Sequence, residues 1–501
     1  MAWPNPFRRR DENTRTCWGY TFQLTPEHLT PEQAHPLKFS YDVLGEECYE
    51  ILDQISKTQA SESEGENPQP PATTRSEPNE KISTAGISTP DAASSPPRPP
   101  KRDLYLLLRD NRHTHPKLQR LWDETTTTPD WVSWPQIARG QDVFYRYGAA
   151  TLTGLAYQSL LGGMGANRVV EVLARTGGFS PKVARHRLFE TTQHILQCTR
   201  DLAAIQPEGA GFASSLRVRL LHAAVRRRIM RLTHSHPSYY DVEAYGVPIN
   251  DLDCIATIGT FSATIVFLSL PRQGIFLTKQ EIVDYIALWR LIAHYVGTPT
   301  GWFETPERAR RVMESLLLNE INPSNTSVVL ANNIIRCLEN QPPTYASRSF
   351  LEVNARWLNG AELADALGLG NPGWWYWALM AGQCIFFSCL CYTYRAVPAL
   401  DRRKIDTLRK VFWAVIVEGK YGLGGEETVF EFKYVPELGL GTGKNGDDDD
   451  DDDVDVEVRG KGREAGIERR NFNTLVVAVG VVVAVGYLGV KASAAVLGRI
   501  F

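Results

Sequence analysis

The chain has 501 residues, 43% of them hydrophobic and 22% charged, with a formal net charge of −3. That is ordinary globular composition, with material for a sizeable core and two or three domains by length. The balance gives no case for nucleic-acid binding, because the acidic total includes the run Asp447 to Asp453 and the remainder is only slightly basic. Eight scattered cysteines form no CxxC pair and no zinc-finger spacing, so they read as small buried side chains in a reducing compartment.

Taken in order, residues 1–56 mix aromatic, proline and charged residues around a basic patch that no apolar h-region follows, so no secretory signal is expected. A helix-like piece, Tyr41 to Ile55, repeats apolar residues at three and four, and the segment is expected to dock on the main body. Residues 57–101 change to Ser, Pro, Thr, Glu and Gly, which cannot bury enough apolar surface to offset ordering entropy; a disordered linker is expected. From residue 102 to about 435 the pattern is helical and strand-like alternation is scarce. Gly162-Gly163 and Gly177-Gly178 read as stops, Ser180-Pro181 and Asn250-Asp251 as starts, and Thr278 with Glu281 as a capping box. The expectation is an all-α domain.

Trp374 to Tyr394 carries no charge over a length that can span a bilayer, although its tyrosines and Gln383 suit a buried or interfacial helix equally well. Residues 436–470 read as an acidic flexible tether, and 471–501 as a C-terminal transmembrane anchor built on Leu475 to Val490, with Lys491 able to snorkel. The body would then face the cytosol.

The residues that carry chemistry lie in LRVRLLHAAVRRRIM, Leu216 to Met230. Helical spacing puts Arg219, His222 and Arg226 on one stripe, and neighbouring positive charge favours the neutral imidazole that can ligate a metal. An ordinary core histidine fits the same pattern. One segment earlier, Arg187, Glu190, Thr191 and His194 form a polar stripe, which is a solvated face or a pocket wall. His194 is expected on the helix surface. Glu171 stands between Val170 and Val172, placed to act as a base with a raised pKa or to pair with Arg187 or Arg219; the ion pair is the preferred reading. His234-Ser-His236 before Pro237 reads as a helix end and not a metal site. The chain has no P-loop, HExxH or GxSxG elbow.

The order WVSWPQIARGQDVFYRYG, VLARTGG, RLFETT, VRLLHAAVRR, INDLDCIATIGTFSATIVF resembles the family of haem-dependent latex-clearing rubber oxygenases and fungal membrane-bound oxygenases that shorten prenyl chains. The resemblance covers about Trp131 to Trp302, with weaker support to Lys420. It implies a globin-like helical core and a b-type haem with His222 as the iron's proximal ligand, Arg219 and Arg226 fixing that helix. It also implies that Glu171 is the catalytic carboxylate, that Arg187 and Thr191 face the opposite side of the haem, and that dioxygen is co-substrate. Glu190 departs from the resemblance: latex-clearing proteins carry a lysine there, so oxidation of a small prenylated or unsaturated lipid is expected in place of rubber cleavage. The cytosolic face of the endoplasmic reticulum is the expected location, the mitochondrial outer membrane an alternative. A haem sensor or carrier without turnover, a scaffold with a vestigial site, and a non-haem metal on the same fold remain rival readings.

Overall fold

The computed structural model describes residues 10–65 and 102–430 apart from 182 and 343, together with the isolated positions 473, 477, 480 and 491. Most of the expected linker, the tether and nearly all of the expected anchor therefore lie outside the described residues.

Apart from one hairpin, the described body is helical. The hairpin pairs β1 (Thr14–Cys17) with β2 (Tyr20–Gln23) in antiparallel register, Thr14 opposite Gln23. Its two-residue turn holds Trp18 at φ 51° and Gly19 at φ 67°, both left-handed as a tight hairpin turn requires. Trp-Gly is not a usual spelling of that turn, which hid the hairpin in the sequence.

The helices that position the site begin with α1 (Val43–Gly65). It runs to Gly65, past the Lys57 boundary at which a disordered linker was expected, because Ser and Glu do not by themselves stop a helix. There follow α2 (Leu104–Asn111), α3 (Pro116–Thr126), α4 (Trp134–Arg146) and α5 (Gly148–Gly154), the last continuing into a π-helical turn, Leu155–Leu161. Next come α6 (Asn167–Arg175), α7 (Ala184–Thr199), α8 (Ala210–Ser235), α9 (Asp251–Phe261) and α10 (Lys279–Tyr295). The body is completed by α11 (Pro306–Asn319), α12 (Asn325–Leu338), α13 (Arg348–Asn359), α14 (Trp374–Arg395) and α15 (Pro398–Trp413).

Boundaries follow the capping chemistry in most places. Asn250 accepts from the Asp253 N–H at the start of α9, and Thr278 with Glu281 makes both bonds of a capping box at α10. Ser180-Pro181 is an exception, since α7 begins only at Ala184. Helix α8 ends at Ser235 with His236 as its C-cap, so the HxH motif is a helix end.

The main core lies where α4, α7, α8, α9 and α10 meet, with Phe144, Leu216, Leu220, Ile255, Leu288 and Trp289 fully enclosed. A second cluster, with Val170, Leu330, Ile334 and Leu351, joins α6 to α12 and α13. Helix α14 buries Leu379, Met380, Cys384 and Cys391 and leaves Trp374, Ile385 and Phe386 exposed. It is the one single helix among the described residues that is long and apolar enough to cross a membrane; the bent pair Asp251–Phe261 and Ile265–Arg272 meets the same test jointly but supplies buried core residues. All eight cysteines are free thiols, and Cys389 is exposed, on the open face of α14, where a buried side chain was expected.

Candidate active site

Helix α8 is buried on most sides, its apolar residues Phe212, Leu216, Leu220, Leu221, Val225 and Ile229 facing several neighbours. Two arginines in such a helix need partners. Arg219 forms a bidentate pair with Asp42 (Nε–Oδ2 2.7 Å, Nη2–Oδ1 2.8 Å) and reaches Glu124 Oε1 at 3.3 Å. Arg226 donates to the Pro248 and Ile249 carbonyls and to Glu46, and lies over the Tyr41 ring. Arg227 pairs with Glu50 at 2.7 Å. Asp42, Glu46 and Glu50 thus present one stripe of α1 and its start, four residues apart, to α8. Asp42 also accepts from the Gly45 N–H, capping α1 with the same carboxylate.

Between these anchored arginines lies His222. Burial pushes its pKa down to about 4, with the charges of Arg226 and Arg187 acting in the same direction. The expectation of a neutral ring holds, but its main cause is desolvation, and the Asp42 carboxylate acts in the opposite direction. The ring is only half-buried, and neither nitrogen has a hydrogen-bond partner among the described residues. Cys254 on α9 is likewise half-buried, and burial pushes its thiol up to about 12. Gly259 of α9 is buried, yet a Cβ added there would meet no atom within 4 Å, so α9 borders a void.

Helix α7 approaches α8 closely because Gly211 has no side chain; a Cβ there would stand 2.7 Å from the Gln197 carbonyl. His194 lies at this contact and not on the outer surface where it was expected. Its Nδ1 is 2.9 Å from Ser214 Oγ, and burial, with His222 adding to it, lowers its pKa to about 4. Arg187 is half-buried, within electrostatic reach of His222, and touches Glu190 at 3.4 Å. Glu190 is 6% exposed and accepts from the Thr428 hydroxyl at 2.8 Å, with His186 at 3.5 Å. Thr191 is exposed and donates to the Arg187 carbonyl of its own helix. Glu171 pairs with Arg175, one turn on (Nη1–Oε2 2.7 Å), and not with Arg187 or Arg219 as expected. The i,i+4 partner on α6 needs no tertiary approach to reach it.

The structure therefore brings His222, Arg187 and His194 into one region, sets Arg219 and Arg226 behind His222 as anchors, and leaves Glu171 in its own buried ion pair. No group of three or more metal-ligating side chains occurs among the described residues. A single imidazole kept neutral, with no hydrogen-bond partner for its nitrogens among the described residues, suits a cofactor that brings its own remaining ligands, which is the chemistry of a haem iron. Sequence reasoning missed Asp42, Ser214 and Thr428; they come from segments far apart in the chain, and no local spacing links them.

A model of the family described as ER-bound oxygenase mpaB/B'/Rubber oxygenase, catalytic domain, matches residues 145–406. The rubber oxygenase of Streptomyces sp. (strain K30) is 23% identical over 177 residues, covering 34% of this chain and 41% of that protein. The chain thus aligns with less than half the length of that curated relative. A solved structure of latex clearing protein LCP in the closed state superposes with a TM-score of 0.47 at 17% identity, over 60% of this chain and 79% of that one. Since the family model spans more than half of the 501 residues and takes in Glu171, Arg187 and His222, the chain belongs to the mpaB/B'/rubber oxygenase catalytic-domain family.

Proposed function

We propose that this protein is a haem-dependent oxygenase that uses dioxygen on a carbon–carbon double bond of an isoprenoid-like or other unsaturated lipophilic substrate. The observation that carries the reading is His222: an imidazole kept neutral inside an oxygenase-family domain, with no protein partner for its nitrogens among the described residues. His222 would hold a b-type haem. When bound, that group supplies an iron at which dioxygen is taken up and activated.

The chain's own residues have separable tasks. Arg219 and Arg226, tied to Asp42, Glu124 and Glu46, keep the His222 helix from shifting. Among the described residues a 3.4 Å contact to Glu190 alone restrains the Arg187 guanidinium, so it can orient an anionic or oxygen-bearing group near His222. Glu171 can accept a proton from an allylic carbon only by loosening its 2.7 Å bond to Arg175. A substrate without polar handles needs an apolar site that excludes water, and the apolar residues around α8 and α9 supply that lining.

Membrane association belongs to the same proposal, with the catalytic body on the cytosolic face of the endoplasmic reticulum. The exposed Trp374, Ile385 and Phe386 of α14 support a body that rests on lipid, from which a lipophilic substrate can enter by lateral diffusion.

The test is an ultraviolet-visible spectrum with iron analysis of the full-length protein and of His222→Ala, followed by incubation with prenylated substrates under oxygen. A Soret band lost or strongly shifted in His222→Ala, and oxygenated product with the parent only, are expected. Absence of haem in both after haem-replete expression would sink the proposal; haem binding without turnover would leave a sensor or carrier.

A further inference from the structure

Beyond the stretch that the family model matches, the chain returns to the site. Residues Glu427–Phe430 lie along α7 and are held by a stripe of its buried polar side chains. Gln193 exchanges two bonds with the Thr428 backbone, accepting from its N–H at 2.9 Å and donating to its carbonyl at 3.4 Å. Glu190 accepts from the Thr428 hydroxyl, and Gln197 donates to Glu427 at 2.9 Å. Glu190, Gln193 and Gln197 recur at i, i+3 and i+7, so one face of α7 is given over to this strap.

Within the strap, Phe430 has its backbone at φ 55° with its N–H bonded to Thr428 Oγ1 at 3.1 Å. Left-handed backbone is costly for a phenylalanine and persists only where its surroundings impose it. Here the ring is 6% exposed among Val172, Leu221, Val225, Ile229 and Tyr240, and meets the His194 imidazole edge-on at 6.2 Å. Leu221 and Val225, one turn apart, form the stripe of α8 next to His222. Phe430 therefore fills the apolar slot between the two imidazole-bearing helices.

We propose that Glu427–Phe430 is the closing wall of the site and that Phe430 is a specificity-determining residue, setting the size of the apolar ligand admitted beside His222. This rests on reading His222 as the centre of the site. A flexible apolar chain, such as an unsaturated hydrocarbon tail, enters only as far as the ring yields. The glutamate at position 190 then has a task of its own, anchoring the strap through Thr428, and does not stand in for a lysine.

The experiment uses the full-length chain, with Phe430→Ala, Phe430→Leu, Phe430→Trp and Thr428→Val beside the parent. Titration with the apolar dye 1-anilinonaphthalene-8-sulfonate reports the slot without needing haem, and imidazole association with the ferric protein reports access to the iron. Dye affinity is expected to rise about fivefold or more in Phe430→Ala, less in Phe430→Leu and Thr428→Val, and to fall in Phe430→Trp, with imidazole association following the same order. If circular dichroism shows that Phe430→Ala is unfolded, Phe430→Leu and Thr428→Val decide. Dye affinities equal within about twofold across the folded variants would overturn the proposal. A parent without a Soret band would count against the haem reading alone, because the dye series still tests the slot.

Discussion

Asp42 shows how much can rest on one side chain. Its carboxylate caps α1 through the Gly45 N–H and neutralises Arg219, which is 3% exposed. Asparagine keeps the cap but not the charge, leaving a buried guanidinium with only the 3.3 Å contact to Glu124. Asp42→Asn is expected to lower unfolding free energy by about 3 kcal/mol, as removal of one partner from a buried pair does. Glu47, whose ion pair among the described residues is with the exposed Lys117, is the control, and Glu47→Gln should change it by about 0.5 kcal/mol or less. Urea unfolding of the two variants beside the parent measures both, and equal effects would show that Arg219 does not depend on Asp42. The pattern Arg219, His222, Arg226 was legible in the sequence because it repeats at helical spacing. The Asp42 contribution was not, since 177 residues separate it from Arg219.

Among the elements, α14 carries the clearest division of labour. One side is tied to the body, with Ser388 donating to the Gln273 carbonyl and Tyr392 accepting from the Phe276 N–H. The other side leaves Ile385 55% and Phe386 39% exposed. Replacing both by serine removes little buried contact, so each is expected to cost about 0.5 kcal/mol or less. Binding of the full chain to lipid vesicles should nevertheless weaken, read as a smaller fraction sedimenting with them. Unchanged sedimentation would show that α14 takes no part in membrane contact. The sequence marked this helix as long and apolar but left open whether it spans, lies on a membrane or is buried. Only its packing shows that one face is buried and the other open.

For the whole molecule, His194 and His222 predict an acid sensitivity of the fold before any cofactor is bound. Each has a folded-state pKa of about 4 against an ordinary value of 6.5. As pH falls below 6.5 the unfolded chain takes up these protons first, so stability is complete above 6.5 and is lost progressively toward pH 4. The loss approaches about 3 kcal/mol for each ring, at about 1.4 kcal/mol per pKa unit. Urea unfolding of haem-free protein at pH 7 and pH 5 should reveal the fall, and His194→Gln should flatten part of it. A flat profile between those values would mean that both rings meet solvent freely.

The sequence by itself determined the helical class, most helix boundaries and the stripe of Arg219, His222 and Arg226 along one helix. These depend on local rules: apolar residues at three and four, capping side chains within a turn, and motif spacing along single helices. Tertiary structure alone decided which of those residues meet. It paired Glu171 with Arg175, turned His194 inward onto Ser214, set α1 behind His222, and laid Thr428 and Phe430 over α7. Contacts between segments tens or hundreds of residues apart depend on how helices pack and on which polar groups need a buried partner, and no pattern within one segment records that.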